Sequence, residues 1–204
     1  VAAVPVLRAR GQQVGGVMRT LSGYMASAAG RPLPEMVLEV AKHHVLDTLA
    51  AMISGTELAP GRAALRFVAA QPAGGASTVV GARSLLGPIE AAFVNGVLAH
   101  SDETDDSHGE SQSHPGSAVV PAALAMAEAR GASGEQFLRA VTLGYDVGPR
   151  MTMALGGIVF RTDSRRSTHS FAGTFGAAAA AGSLAALDER QTRWLLDYAS
   201  QQAA

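Results

Sequence analysis

The segment Ser170–Ala186, SFAGTFGAAAAAGSLAA, constrains the fold more than any other stretch. It reads as one helix, and five alanines fill the run from Gly176 to Gly182. Interhelical distance is set by the side chains at the contact, so a helix this small-faced lets its neighbours approach unusually closely. Its place is therefore central, either in the core or across a dimer interface.

The remaining elements are also helical by pattern. Arg19–Ala29 places Leu21, Tyr24 and Met25 on one face, and Pro32 and Pro34 end it. Pro34 suits the first turn of the next helix, where a missing N–H costs nothing. From Glu35 to Ser54 the apolar residues Val37, Val40, Ala41, Val45, Leu46, Leu49, Ala50 and Ile53 recur at three- and four-residue steps, and Gly55 supplies a stop. His43 and His44 fall within this helix and read as partly exposed or capped side chains. Shorter or equivalent patterns predict helices at Gly61–Ala70, Pro88–Ser101, Pro115–Ala129 and Ser133–Met153, the last opened by a Ser133/Gln136 capping box. Asp188 caps a final helix through Trp194 and Leu195. Thr78–Val80 is β-rich but long enough only for one edge-like strand, and Gly156–Thr168 reads as a loop carrying Arg161, Arg165 and Arg166. Seven or so helices without βαβ alternation predict an all-α, multi-helix domain with an Ala/Gly-rich central helix and at most one short strand pair.

With 204 residues, 48% of them hydrophobic, the chain can bury a sizeable core in one domain or at most two. A formal net charge of −1 gives no bulk attraction to nucleic acid or to an anionic membrane. No run approaches the roughly 18 apolar residues that a membrane span needs. Cysteine is absent, which removes disulfides, thiolate metal sites and a Cys nucleophile, and suits a cytoplasmic location. Lys42 is the only lysine among the 16 basic residues. Arginine suits a fixed, bidentate grip on carboxylates, although a compositional bias gives the same pattern. Residues 1–18 read as a flexible leader and 19–204 as the helical domain.

Chemistry concentrates in Asn95–Pro121, NGVLAHSDETDDSHGESQSHPGSAVVP, which holds three of the six histidines and five carboxylates. His114 stands just before a proline-initiated helix, and His169 stands at the start of the alanine-rich one, one turn from the arginines of the 156–168 loop. Helix starts attract anions, and a histidine beside each is placed to move protons near neutral pH. The pattern fits a small polycarboxylate, with Arg161 and Thr168 as substrate-binding candidates. In the alternative reading, both histidines merely cap backbone donors. A third reading takes Asp102-x-x-Asp105-Asp106 as a Mg²⁺–diphosphate motif, but no second acidic motif follows it.

Several ordered motifs resemble the MmgE/PrpD family: Ala91–Pro121, Gly144-Tyr145-Asp146-Val147, Thr168-His169-Ser170 with Gly173–Ala179 after it, and Leu46-Asp47-Thr48-Leu49-Ala50. That family includes 2-methylcitrate dehydratase, cis-aconitate decarboxylase and iminodisuccinate epimerase. The resemblance implies a homodimer and acid–base chemistry on a small di- or tricarboxylate, without metal or organic cofactor. It assigns catalytic roles to His114, His169 and Glu103, the last standing where an Asp is usual. Asp105, Asp106 and Ser107 occupy its Asp-Asp-Thr segment, with Ser in place of Thr, and Ser170 replaces a usual Pro. The resemblance further implies a longer chain, with a lid domain and later lysine, histidine and tyrosine groups. The 204 residues alone are therefore expected to be inactive or nearly so. Glu103, Asp106, His114 and His169 are expected to converge on one cleft.

Overall fold

The computed structural model describes residues 14–203, so most of the expected leader lies outside the described residues. Nine α-helices and one 3-10 turn make up the described part: α1 (Gly16–Ser27), the turn Ala28–Gly30, α2 (Glu35–Gly55), α3 (Ala59–Ala69), α4 (Pro88–Ala99), α5 (Gly116–Arg130), α6 (Gly134–Ala154), α7 (Ile158–Ser164), α8 (Thr168–Leu184) and α9 (Glu189–Gln202). The all-α expectation holds.

The small-faced helix is central. α8 packs against α5, α6 and α9, and Ala172, Ala179 and Ala180 are fully buried. Its closest seam is with α6. A Cβ on Gly144 would lie 2.8 Å from the Gly176 carbonyl oxygen, and one on Gly148 would lie 2.5 Å from that of Ala172. Real side chains do not tolerate such distances, so the two helices meet backbone to backbone only because glycine occupies these positions. α8 also joins the two halves of the core. Ala180 belongs to the larger cluster, with Met52, Val68, Val94, Leu98, Val119 and Val141. Ala179 and Phe175 belong to the smaller one, with Met25, Leu143, Val147 and Leu196. Of the two places open to this helix, the structure uses the core.

Local signals explain most boundaries. Pro34 sits at the N-cap of α2, one position before the first turn. The predicted capping box at Ser133 and Gln136 forms, and Asp188 caps α9 through the Gln191 N–H at 2.8 Å. The first helix begins at Gly16, ahead of the expected Arg19.

Two expectations are corrected. Thr78–Val80 forms no strand, because side chains take the place of a partner strand. Asn95 accepts from the Val80 N–H at 2.9 Å and donates to the Thr78 carbonyl at 2.8 Å, while Glu128 accepts from the Thr78 N–H at 2.7 Å. Only an isolated bridge, Ser77 to Leu86, remains there. The supposed loop 156–168 contains α7, entered through Gly156 and Gly157, both at positive φ. A Cβ on Gly157 would lie 2.6 Å from the Glu110 carbonyl oxygen, so the glycine lets α7 lean on the polar segment.

Candidate active site

Three imidazoles from two elements meet at the top of α5 and α8. The rings of His114 and His169 stack at 4.7 Å between centroids, with 20° between planes. His100, just past the end of α4, lies 5.6 Å from His114 and 6.3 Å from His169. This grouping follows from the α5–α8 packing, which brings the two helix starts side by side.

The segment between α4 and α5 folds back to hold these rings. Asp105 is buried, and both of its carboxylate oxygens lie 3.1 Å from His100 Nδ1. The nearest atom to His114 Nδ1 is the Asp106 carbonyl oxygen at 2.7 Å, followed by Ser107 Oγ at 3.2 Å and the Asp105 carbonyl oxygen at 3.3 Å. A carbonyl oxygen can only accept, so the proton belongs on Nδ1 and the Nε2 lone pair is free. In that tautomer the imidazole can act as a base. The His114 side chain is 19% exposed, so the ring is sheltered yet reachable.

His169 differs. Its Nδ1 is buried and finds no hydrogen-bond partner among the described residues. Burial, then the neighbouring His114 and His100 rings and the charge of Arg161, push its pKa below the ordinary histidine value. The ring is therefore neutral near neutral pH, with one polar atom unsatisfied.

Asp106 turns its carboxylate away from the rings. Oδ2 pairs with His44 Nδ1 at 3.1 Å, and Oδ1 accepts from the Gly116 N–H at 2.8 Å. Burial opposes its ionisation, yet hydrogen bonds led by that from His44 hold the carboxyl below the usual carboxylate range. The Tyr145 hydroxyl approaches the same carboxylate and Thr48, but it is buried without a hydrogen bond to either. Burial and the Asp106 charge push this phenol far above its ordinary range.

The cap reading of the two histidines does not describe this arrangement. The first N–H of α5 is satisfied by Asp106, and that of Ser170 in α8 by the Ser167 hydroxyl at 3.2 Å. Both helix starts are thus partly capped already, which reduces their capacity to hold an anion by backbone alone. The aspartates of the proposed Mg²⁺ motif are divided among separate partners. Asp102 accepts from Ser54 at 2.6 Å, Asp105 faces His100, and Asp106 faces His44.

The remaining candidates frame the cluster. Glu103, at φ 58° and 72% exposed, sits at the rim with Oε1 3.5 Å from His100 Nε2. The buried Thr168 hydroxyl donates to the Gln112 carbonyl, and Arg161 Nη1 donates to Gln112 Oε1 at 3.0 Å. In this structure both brace the polar segment from the side of α7 and α8. The sequence pattern did not single out His100, His44 or Tyr145 as site residues. The signals available were the place of His100 in the polar segment, of Tyr145 in a family-like motif, and of His44 and Thr48, four residues apart, on one face of α2.

The sequence profile of the MmgE/PrpD N-terminal domain matches residues 19–204. The cis-aconitate decarboxylase-like protein oryM of Aspergillus oryzae is 30% identical over 196 residues, covering 93% of this chain and 40% of its own. Human cis-aconitate decarboxylase is 34% identical over 178 residues, covering 84% and 36% respectively. The cis-aconitate decarboxylase of Aspergillus terreus is 30% identical over 147 residues, covering 70% and 30%. The chain thus spans 30% to 40% of the length of these curated relatives. With its ordered motifs, its helical architecture and a profile match from residue 19 to the end, the chain belongs to the MmgE/PrpD family.

Proposed function

We propose that this chain supplies the acid–base half of a lyase site for a small di- or tricarboxylate. The observation that carries the reading is the stacked His114–His169 pair, one ring anchored and the other with a buried, unpartnered nitrogen. A buried polar atom without a partner is costly, and a substrate oxygen arriving there would relieve it. His114, with Nε2 free, removes or returns the proton next to a carboxylate. His169 donates a hydrogen bond or proton to the developing negative charge, and Arg161 adds a cation that His169 already feels. Glu103 borders the entrance.

Decarboxylation and dehydration share this requirement, because each passes charge through carbon beside a carboxylate and needs a placed proton donor or acceptor. The names of the relatives favour cis-aconitate as the first substrate to try, with 2-methylcitrate and citrate next.

Binding provides a test that does not depend on turnover. Titration with cis-aconitate, 2-methylcitrate and citrate, with EDTA in parallel, should saturably shift the His169 imidazole resonances and, to a lesser degree, those of His114. Absence of any shift at millimolar concentrations of all three would overturn the reading. A homodimer is part of the same proposal. Phe67, Ile89 and Phe93 form an exposed apolar area on α3 and α4, with the two phenylalanine rings 6.0 Å apart edge to face. A well-behaved monomer at micromolar concentration in sedimentation would remove that part.

A further inference from the structure

The His44 ring and the Asp106 carboxylate face away from the three clustered rings, yet the Asp106 carbonyl connects the pair to one of them. Asp106 has three polar oxygens, and each is engaged differently. Its two carboxylate oxygens are anchored by His44 and by the Gly116 N–H, and its carbonyl receives His114. The side chain is only 11% exposed, so these anchors fix the whole residue.

The surroundings are built closely around it. A Cβ on Gly116 would lie 2.6 Å from Thr48 Oγ1, 2.7 Å from Asp106 Oδ1 and 2.8 Å from the Tyr145 hydroxyl. Three polar groups from α2, the polar segment and α6 therefore converge on the first residue of α5. His44 packs on Tyr145, with ring centroids 4.7 Å apart.

We propose that His44 is a positioning residue for His114: by anchoring the Asp106 carboxylate, it fixes the Asp106 carbonyl that receives the His114 Nδ1–H and so keeps Nε2 free. The titratable groups facing His44 are Asp106 from the polar segment, Tyr145 from α6 and Asp47 from its own helix. The hydrogen bond to Asp106 raises the His44 pKa, with partial burial opposing, so the charged form that best holds Asp106 is favoured. The inference rests on reading His114 as the proton-transferring ring, but it can be tested without turnover.

Nitrogen-15 NMR of histidine-labelled protein reads the His114 tautomer directly. The native ring should be the Nδ1–H form. His44→Ala should lower the ratio of Nδ1–H to Nε2–H by about tenfold, the worth of one ordinary hydrogen bond. His44→Gln, whose amide can donate to Asp106, should restore it. His43→Ala, on an exposed position of the same helix, should leave it unchanged. If His44→Ala does not fold, His44→Phe keeps a ring against Tyr145 without a donor and gives the same reading. An unchanged ratio in the folded variant, or an equal change in His43→Ala, would overturn the proposal. A normal tautomer response without any substrate-induced shift would count against the polycarboxylate reading alone.

Discussion

The two helix starts that carry the histidines are built on opposite plans. At the start of α5, His114 is tied back by carbonyl and hydroxyl acceptors, and the helix is capped by a carboxylate that is itself paired with His44. At the start of α8, the cap is a lone serine hydroxyl, and His169 Nδ1 has no partner among the described residues. The same residue type stands beside the same kind of helix end, but one ring is preorganised and the other is left to be satisfied. Position along a helix does not determine the role of a histidine. What its second nitrogen meets does.

The sharpest way to break this contrast is to remove each ring. In a form that turns substrate over, His114→Ala and His169→Ala should each lower kcat by about 10²–10⁴, the usual worth of a placed acid–base group. Circular dichroism should show the helical fold retained. Steady-state kinetics with kcat near the native value for either variant would remove that ring from the chemistry.

Glycines at the two helices test the packing side of the comparison. Gly116→Ala forces a methyl group against three fixed polar atoms and should cost about 1–3 kcal/mol in urea unfolding, as overpacking does. Gly173→Ala on α8 meets only the Ala118 Cβ at 3.1 Å and gains helix propensity. It should be close to neutral in the same experiment.

Smaller effects separate the two caps. Ser167→Ala removes the α8 cap and should cost about 1 kcal/mol of stability. Ser107→Ala removes one of the acceptors around His114 Nδ1 and leaves the Asp106 carbonyl, so kcat should fall by less than about tenfold.

The finest distinction is in pH. The His44 pKa is raised in the folded state, so its stabilisation is complete below about pH 6.5, the unfolded value, and is lost as pH rises through the folded value. The His169 pKa is depressed, so folding is penalised as pH falls below about 6.5 and fully so beneath the folded value. Melting temperatures across about pH 5–8 should therefore lose part of their alkaline decline in His44→Ala and part of their acidic decline in His169→Ala. Identical changes in both variants would dissolve the contrast.

Helical periodicity was enough to read α2, α4, α5, α6, α8 and α9 as helices, but not always to find their buried faces: Val40, Leu46 and Ile53 of the expected α2 set are exposed, while Thr48 and Met52 are buried. The two histidines before or at helix starts were equally legible, since Pro115 and the alanine run locate those starts. Asp106 was legible as a member of the family-like Asp-Asp-Thr segment and as a site candidate, but not in the way it is used. Its division between a carbonyl that serves His114 and a carboxylate that serves His44 depends on which turn of α2 passes behind the segment, and sequence spacing does not record that. The same limit hid Asn95, whose amide replaces a partner strand for residues 78–80. Gly156 and Gly157 looked like loop residues because their positive φ values break a helix. Here they start one instead.

The glycine seam between α6 and α8 also governs how this site can diversify. Ala172 stands one turn after His169, and its carbonyl rests against Gly148 on a helix that contributes no ring to the cluster. A side chain at 148 would have to push α8 aside, carrying His169 with it and leaving His114 behind. Under the proposed function, laboratory selection for a different acid substrate therefore has little room along this seam. Productive variation should gather where residues already face water, at Glu103, Arg161 and their neighbours, while the backbone rail that sets the spacing between the two rings stays as it is.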